Sequence, residues 1–175
     1  MVGSGRDERA RVRGAQAGSA SDLEALFRMH WSRCYRAAYL VVHDAAAAED
    51  IAQESFLAAV RALDRFDRRR PFGPCLHRIV VNRAIDWARA RALRAEVGEA
   101  ALAGVPALPV RGPGARTDLL ARLAALSPEH RAVIVLRHLL EYTPGEIAEL
   151  LELPRGTVNL RLRRGLDALR AGFEE

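Results

Sequence analysis

Lysine is absent from this chain, and all 27 basic residues among its 175 are arginines. Any recognition of phosphate or guanine therefore falls to a guanidinium group, the better bidentate partner for both. A GC-rich genome encodes Arg and Ala heavily, so the positions of the arginines count for more than their number. Cysteine occurs only as Cys34 and Cys75. Two are too few for a disulfide framework or a four-ligand zinc site, and both lie in apolar runs that favour buried, inert thiols. No apolar run approaches the roughly 18 residues of a membrane span, and no signal peptide is evident. A soluble, cytoplasmic protein without membrane insertion is expected. Aromatic residues make up 6% of the chain against 50% hydrophobic residues overall. Ala and Leu supply much of that apolar set, which favours helices over sheets. His30, His43, His77, His130 and His138 form no ligand cluster with the carboxylates. No phosphate loop or nucleophile motif occurs either. No catalytic residue, metal site, cofactor or small-molecule substrate is expected, and the chain does not read as an enzyme.

What the chain does carry is positive charge and helical periodicity. A formal net charge of +5 and a pI of about 10.2 suit a polyanionic partner. The length allows one domain or two small ones. Residues 1–20 are rich in Gly, Ser, Ala and Arg without an apolar period, so a disordered tail is expected. Ser21 with Glu24 matches a capping box for a helix reaching about Val42. Along it Leu23, Leu26, Phe27, Trp31, Cys34, Tyr35 and Ala38 recur at helical spacing. A second helix, from Ala46 to about Leu63, buries Ile51, Ala52, Phe56, Ala59 and Val60. Its other side carries Asp50, Gln53, Glu54, Leu57 and Arg61 in one stripe, because residues three or four apart share a face. Acids with an exposed Leu suit docking to a basic protein surface. Acids near a helix N-terminus are also favoured by the macrodipole whatever the function.

Between this helix and the next lies a basic loop, Arg65 to Pro74, in which Phe66 and Phe72 flank Arg68, Arg69 and Arg70. Phenylalanines among arginines suit a site for unstacked bases, where stacking is worth roughly 1–3 kcal/mol per base. A loop pinned to the core by its own Phe side chains is the competing account. A long helix from about Pro74 to Arg94 turns Leu76, Ile79, Val80 and Trp87 inward, leaving Asn82, Arg83, Asp86, Arg89 and Arg91 outward. Residues 96–116 have Gly and Pro throughout and read as a linker. Order resumes at Thr117, with Leu119, Leu120, Leu123 and Leu126 in a short helix. Ser127-Pro128-Glu129 then opens another, with Val133, Leu136, Leu139 and Leu140 inside.

The most informative stretch is Thr143 to Arg164. Thr143, Pro144 and Glu146 reproduce a capping box with Pro at the first helical position, and Ile147, Ala148 and Leu151 form the inner face of the helix that follows. Pro154 interrupts it. A second helix restarts near Arg155 with Val158, Leu162, Leu166 and Leu169 at helical spacing, and Arg161, Arg163 and Arg164 left over. Two short helices, a tight turn and an Arg-rich second helix describe a helix-turn-helix whose recognition helix can enter a DNA major groove. An ordinary αα-hairpin with a solvated basic face has the same outline.

Taken together, these segments resemble a bacterial RNA polymerase sigma factor of the extracytoplasmic-function (ECF) group, over nearly everything after the tail. AEDIAQESFLAAVRAL resembles region 2.2, the helix that binds the clamp of the polymerase β′ subunit. RFDRRRPFGPCLHRIVVNRAIDWARAR resembles regions 2.3 and 2.4, which melt and read the minus-ten element. LSPEHRAVIVLRHLLEYTPGEIAELLELPRGTVNLRLRRGLDALR resembles region 4, which reads the minus-thirty-five element. The resemblance implies an all-α protein with a region 2 bundle at 21–95, a linker at 96–116 and a region 4 helix-turn-helix at 117–175. It implies core RNA polymerase (the β′ clamp and β subunits) and promoter DNA as partners, and an anti-sigma factor as the regulator that many members have.

Carried onto this sequence, the resemblance assigns Asp50, Gln53, Glu54, Leu57 and Arg61 to polymerase. It assigns Phe66, Arg68, Arg69, Arg70, Phe72, Asn82, Arg83, Asp86 and Arg89 to the minus-ten element, the loop capturing a flipped base. Arg155, Thr157, Asn159, Arg161, Arg163 and Arg164 go to the minus-thirty-five element. Three departures accompany the match. Cys75 replaces a usual Trp, Glu152 replaces a turn Gly that tolerates left-handed dihedrals, and Asn159-Leu160 replaces a Lys-Ser-like pair. The chain ends soon after the recognition helix, so the extra C-terminal domain of some ECF subgroups is expected to be absent. A stand-alone helix-turn-helix regulator is the alternative, and it leaves the acidic stripe and the Arg-Phe loop without a role.

Overall fold

The computed structural model describes residues 3–96 and 115–171, and within them the only regular structure is helical. The helices are α1 (Gly3–Gln16), α2 (Ala20–Val42), α3 (Ala45–Arg61), α4 (Phe72–Glu96), α5 (Ala115–Ala125), α6 (Pro128–His138), α7 (Pro144–Leu151) and α8 (Arg155–Ala171). A single 3-10 turn, Leu63–Arg65, follows α3. Residues 97–114 of the expected linker lie outside the described residues.

The fold is organised around α2, which packs against α1, α3, α4, α5 and α6. One face of α2 buries Leu26, Cys34, Ala38 and Val41. Phe27, Trp31, Tyr35 and Tyr39 stack in sequence along it at i, i+4, with ring centroids 4.8, 6.4 and 6.3 Å apart. The helix stops where His43 turns left-handed (φ 54°) and returns its N–H to the Tyr39 carbonyl at 2.8 Å. Asp44 then caps α3, its carboxylate accepting from Ala47 N at 3.0 Å. In this way α3 is laid back along α2, with Ile51, Ala52, Phe56 and Ala59 inward. Each large apolar side chain so buried contributes roughly 1.5–3 kcal/mol.

The C-terminal bundle closes α8 onto α6 and α7. Gly165 permits this close approach, since a Cβ there would sit 2.8 Å from Ile134 Cδ1. Val158, Leu162 and Leu169 face the same interior. The two bundles touch: α2 and α4 pack on α6, α4 also packs on α7, and one continuous set of buried apolar side chains runs through both.

Three sequence expectations are corrected. The tail is not disordered over its length, because Gly3–Gln16 form α1. Its docking relies little on apolar periodicity. Val12 is the one buried aliphatic, while Arg11 pairs with Asp22 at 2.9 Å and Glu8 is buried beside His30. Burial opposes the Glu8 charge, but His30 and the N–H groups of Gly73 and Phe72 hold its carboxyl below the usual range. The cap of α2 is Ser19, whose hydroxyl accepts from Asp22 N at 3.3 Å, rather than Ser21. The turn through Gly18 (φ 89°) starts α2 at Ala20, which leaves Ser21 in its first turn and Glu24 free to pair with Arg28. Finally, α4 begins at Phe72, not Pro74. Phe72 is 2% exposed and belongs to the core, in edge contact with Phe56 and Phe66.

Candidate nucleic-acid interface

The acidic stripe on α3 lies at the surface. Asp50, Gln53, Glu54, Leu57 and Arg61 are all exposed, and Leu57 retains 48% of its accessible area. The opposite side of the same helix is core, so the stripe is free of packing duty. Glu54 accepts from Arg83 of α4 at 2.7 Å, which ties the stripe to the edge of the next surface.

That next surface is the loop between α3 and α4. Arg68, Arg69 and Arg70 are exposed on a turn in which Asp67 Oδ1 accepts from Arg69 N at 2.9 Å and its carbonyl from Arg70 N at 3.0 Å. Phe66 is half-buried, its ring 5.8 Å from Phe72 at an interplanar angle of 78°. The two phenylalanines therefore divide the alternatives left open by the sequence. Phe72 pins the loop to the core, and Phe66 packs against that core while keeping part of its surface accessible. On α4, Asn82, Arg83, Asp86 and Arg89 are exposed. Arg89 Nε donates to Glu129 of α6 at 2.6 Å, so this guanidinium is engaged by the C-terminal bundle. The carboxyl of Glu129 is held below the usual range, where burial is outweighed by its backbone N–H, Arg89 and Ser127.

In the C-terminal bundle Thr143 and Glu146 form a complete capping box. Thr143 Oγ1 accepts from Glu146 N at 3.3 Å and Glu146 accepts from Thr143 N at 2.7 Å. The turn after α7 is a Schellman motif. Leu153 N donates to the Ala148 carbonyl at 2.9 Å and Glu152 N to that of Glu149 at 3.4 Å, with Glu152 left-handed at φ 55°. This is the strained dihedral expected for a non-glycine residue there. Beyond it α8 turns Val158 and Leu162 inward, while Arg155, Asn159, Arg163 and Arg164 are exposed and Thr157 and Arg161 half-buried. A helix-turn-helix with its basic face outward is the arrangement that fits a major groove.

Comparison with known proteins agrees with this geometry. The chain matches the family description Sigma-70 region 2 over residues 26–94, and Sigma-70, region 4 over residues 116–169. It is 36% identical over 171 residues to the ECF RNA polymerase sigma factor SigL of Mycobacterium tuberculosis, covering 95% of this chain and 97% of that one. The chain belongs to the ECF RNA polymerase sigma factors. It is also 31% identical to SigW of Bacillus subtilis, covering 91% of this chain and 93% of that one. Among solved structures it resembles CnrH in complex with the cytosolic domain of CnrY, with a TM-score of 0.70 and 28% identity, covering 96% of this chain and 97% of that one.

The sigma factor thus directs transcription initiation as a polymerase subunit rather than acting as an enzyme. No helix among the described residues is long and apolar enough to cross a membrane. Cys34 is buried, which pushes its thiol up to about 12, as expected of an inert side chain, whereas Cys75 is only half-buried. Sequence reasoning did not find the residues that join the two bundles or those that hold α1. Glu8, Gln16, Arg78 and Glu129 act through polar contacts between distant segments, and nothing in periodicity or composition marks such partners.

Proposed function

We propose that this sigma factor divides its work among three surfaces. The α3 stripe of Asp50, Gln53, Glu54, Leu57 and Arg61 docks on the β′ clamp of core polymerase. The Phe66 to Arg70 loop, with Asn82, Arg83, Asp86 and Arg89 of α4, engages the minus-ten element. Arg155, Thr157, Asn159, Arg161, Arg163 and Arg164 of α8 engage the minus-thirty-five element. Residues 21–95 and 117–175 are the functional units of this division. The protein works in the cytoplasm, and an anti-sigma factor that covers these surfaces is the expected regulator.

The observation that carries the docking assignment is the exposure of Leu57 within an acidic stripe on a helix whose other side is fully committed to the core. A charged face that retains a large aliphatic residue suits a partner surface that is basic and partly apolar. Asp50→Arg with Glu54→Arg tests it. Surface charge changes usually move stability by less than about 0.5 kcal/mol, whereas like-charge juxtaposition across an interface costs several. The expected result is near-wild-type melting together with loss of core polymerase binding and of run-off transcription. Holoenzyme formation at wild-type affinity would remove this face from docking.

A further inference from the structure

The loop between α3 and α4 is fastened at both ends to the same helix, and that helix is neither of its neighbours. At the leading end, Gln16 Nε2 donates to the carbonyls of Leu63 at 2.8 Å and Phe66 at 3.1 Å. At the trailing end, Glu8 Oε2 accepts from Phe72 N at 3.2 Å and Oε1 from Gly73 N at 3.1 Å. Phe72 and Gly73 open α4, so their N–H groups are among the donors a helix leaves without internal partners. A carboxylate placed there also meets the positive end of the helix dipole.

Glu8 is itself held in place. It is 8% exposed, and Oε1 lies 2.9 Å from His30 Nε2. Gly73 is fitted to this contact, since a Cβ there would come within 3.1 Å of His30 Cε1 and 3.5 Å of Glu8 Oε1. The other anchors of α1 are Val12 in the core and the Arg11–Asp22 pair at 2.9 Å. Gly14 lets α1 approach α2 so closely that a Cβ on it would overlap the Asp22 carboxylate. Glu8 and Gln16 lie about 12 Å apart along α1, a rigid spacing that fixes one end of the loop relative to the other. Between the two anchor points, Asp67 to Arg70 keep only their own turn hydrogen bonds.

We propose that α1 is a positioning element for promoter opening, with Glu8 and Gln16 holding the Arg-Phe loop in the shape that receives an unstacked base. The helix acts through the loop backbone and needs no contact with DNA. This inference rests on the reading of the loop as the strand-capture site. It extends the opening machinery to a segment that lies before the Sigma-70 region 2 match, which begins at residue 26.

The test compares holoenzymes carrying Gln16→Ala, Glu8→Gln or Phe66→Ala on a linear duplex promoter and on the same promoter with a pre-melted bubble. Permanganate reactivity follows opening, and core binding and thermal melting are measured alongside. Both α1 variants are expected to bind core polymerase normally. They should open the duplex about tenfold more slowly, the effect of losing one or two hydrogen bonds that fix the loop's shape before the strand arrives, and recover on the bubble. Should Glu8→Gln prevent folding, Gln16→Ala decides, because its half-buried amide can be removed without exposing a charge. Wild-type opening by Gln16→Ala with a defective Phe66→Ala would overturn the role of α1 while leaving the loop reading intact. Wild-type opening by Phe66→Ala would overturn the loop reading on which it rests. Equal losses on duplex and bubble would assign α1 to fold stability alone and overturn the proposal.

Discussion

His77 Nδ1 lies 2.7 Å from the hydroxyl of Tyr142, a hydrogen bond that joins α4 of region 2 to the turn ahead of α7 in region 4. The two rings meet edge to face, with centroids 5.9 Å apart. His77 is buried, and burial first, then Glu146, pushes the Tyr142 phenol well above its ordinary range, so the hydroxyl keeps its proton. More exposed pairs also join the two bundles: Arg89–Glu129 at 2.6 Å, Arg78–Glu152 at 3.3 Å and Arg33–Glu141 at 3.6 Å. Pairs this exposed are worth at most about 1 kcal/mol each. Arg89 can therefore exchange Glu129 for a DNA phosphate at small cost, whereas the His77–Tyr142 contact is the one that burial makes costly to disturb.

The buried imidazole makes stability pH-dependent. Burial, with His30 and Arg33 of α2 adding repulsion and Glu8 of α1 opposing it, lowers the His77 pKa to about 4. His43, beside Arg131, is lowered to about 4 as well, again mainly by burial. The unfolded chain, with imidazoles near their ordinary 6.5, binds more protons than the folded one between these values. Stability is therefore complete above about pH 6.5 and is lost as pH falls toward 4, by on the order of 3 kcal/mol for His77 alone. Denaturation midpoints measured from pH 7.5 to 4 should fall in this window, and His77→Gln should flatten the fall. An unchanged slope in that variant would assign the dependence to His43 and the carboxylates.

Glu152 offers a stabilising substitution. A left-handed dihedral costs a non-glycine residue about 1–2 kcal/mol, while Gly costs about 0.5–1 kcal/mol more to order from the unfolded chain. Glu152→Gly also forfeits the exposed pair with Arg78, worth at most about 1 kcal/mol. The terms together span a loss of about 1 kcal/mol to a gain of about 1.5 kcal/mol, centred slightly in favour of the variant, so the melting temperature should stay within a few degrees of wild type and tend upward. A net loss would show that the pair with Arg78 and the ordering of Gly together outweigh the backbone strain.

The helical class and the surfaces were legible in the sequence where an apolar period or a cap recurs locally, although the Ser21–Glu24 pattern misplaced the cap of α2, which is Ser19. The capping box at Thr143 and the Asp50 to Arg61 stripe are such cases, for each is decided within one or two helical turns. What periodicity could not show is structure made by polar contacts across long separations. Helix α1 has one buried aliphatic residue and is held by Glu8, Arg11 and Gln16, whose partners lie on α2 and in and after the loop. The packing of one bundle on the other depends in the same way on His77 and Tyr142, which are 65 residues apart.

The loop phenylalanines should separate cleanly by substitution. Phe72 is fully packed, so Phe72→Ala should cost about 3–5 kcal/mol and impair folding and core binding together. Phe66 keeps part of its surface, and Phe66→Ala should spare folding and closed-complex formation while reducing strand opening. Melting temperature and permanganate footprints read the two effects independently. A Phe72→Ala protein that melts like wild type, or a Phe66→Ala protein that opens promoters normally, would contradict the assignment.

The recognition helix can be dissected by the direction of its arginines. Val158, Leu162 and Leu169 mark the side of α8 that faces the bundle. At about 100° per residue, Arg163 and Arg164 fall on the opposite side together with Leu160, which is 37% exposed, while half-buried Arg161 lies beside the core line. Arg163 and Arg164 are therefore the candidates for reading guanine edges, and Leu160 for apolar contact with a thymine methyl in the groove. Alanine at a bidentate arginine should cost about 1–3 kcal/mol at one base position and leave other substitutions as discriminating as before. Arg161→Ala should instead weaken all promoters by a similar factor, as loss of a phosphate contact does. Holoenzyme binding to a set of promoters with single base changes in the minus-thirty-five element distinguishes these patterns. Wild-type binding and transcription with Arg161, Arg163 and Arg164 all replaced by Ala would remove α8 from promoter recognition.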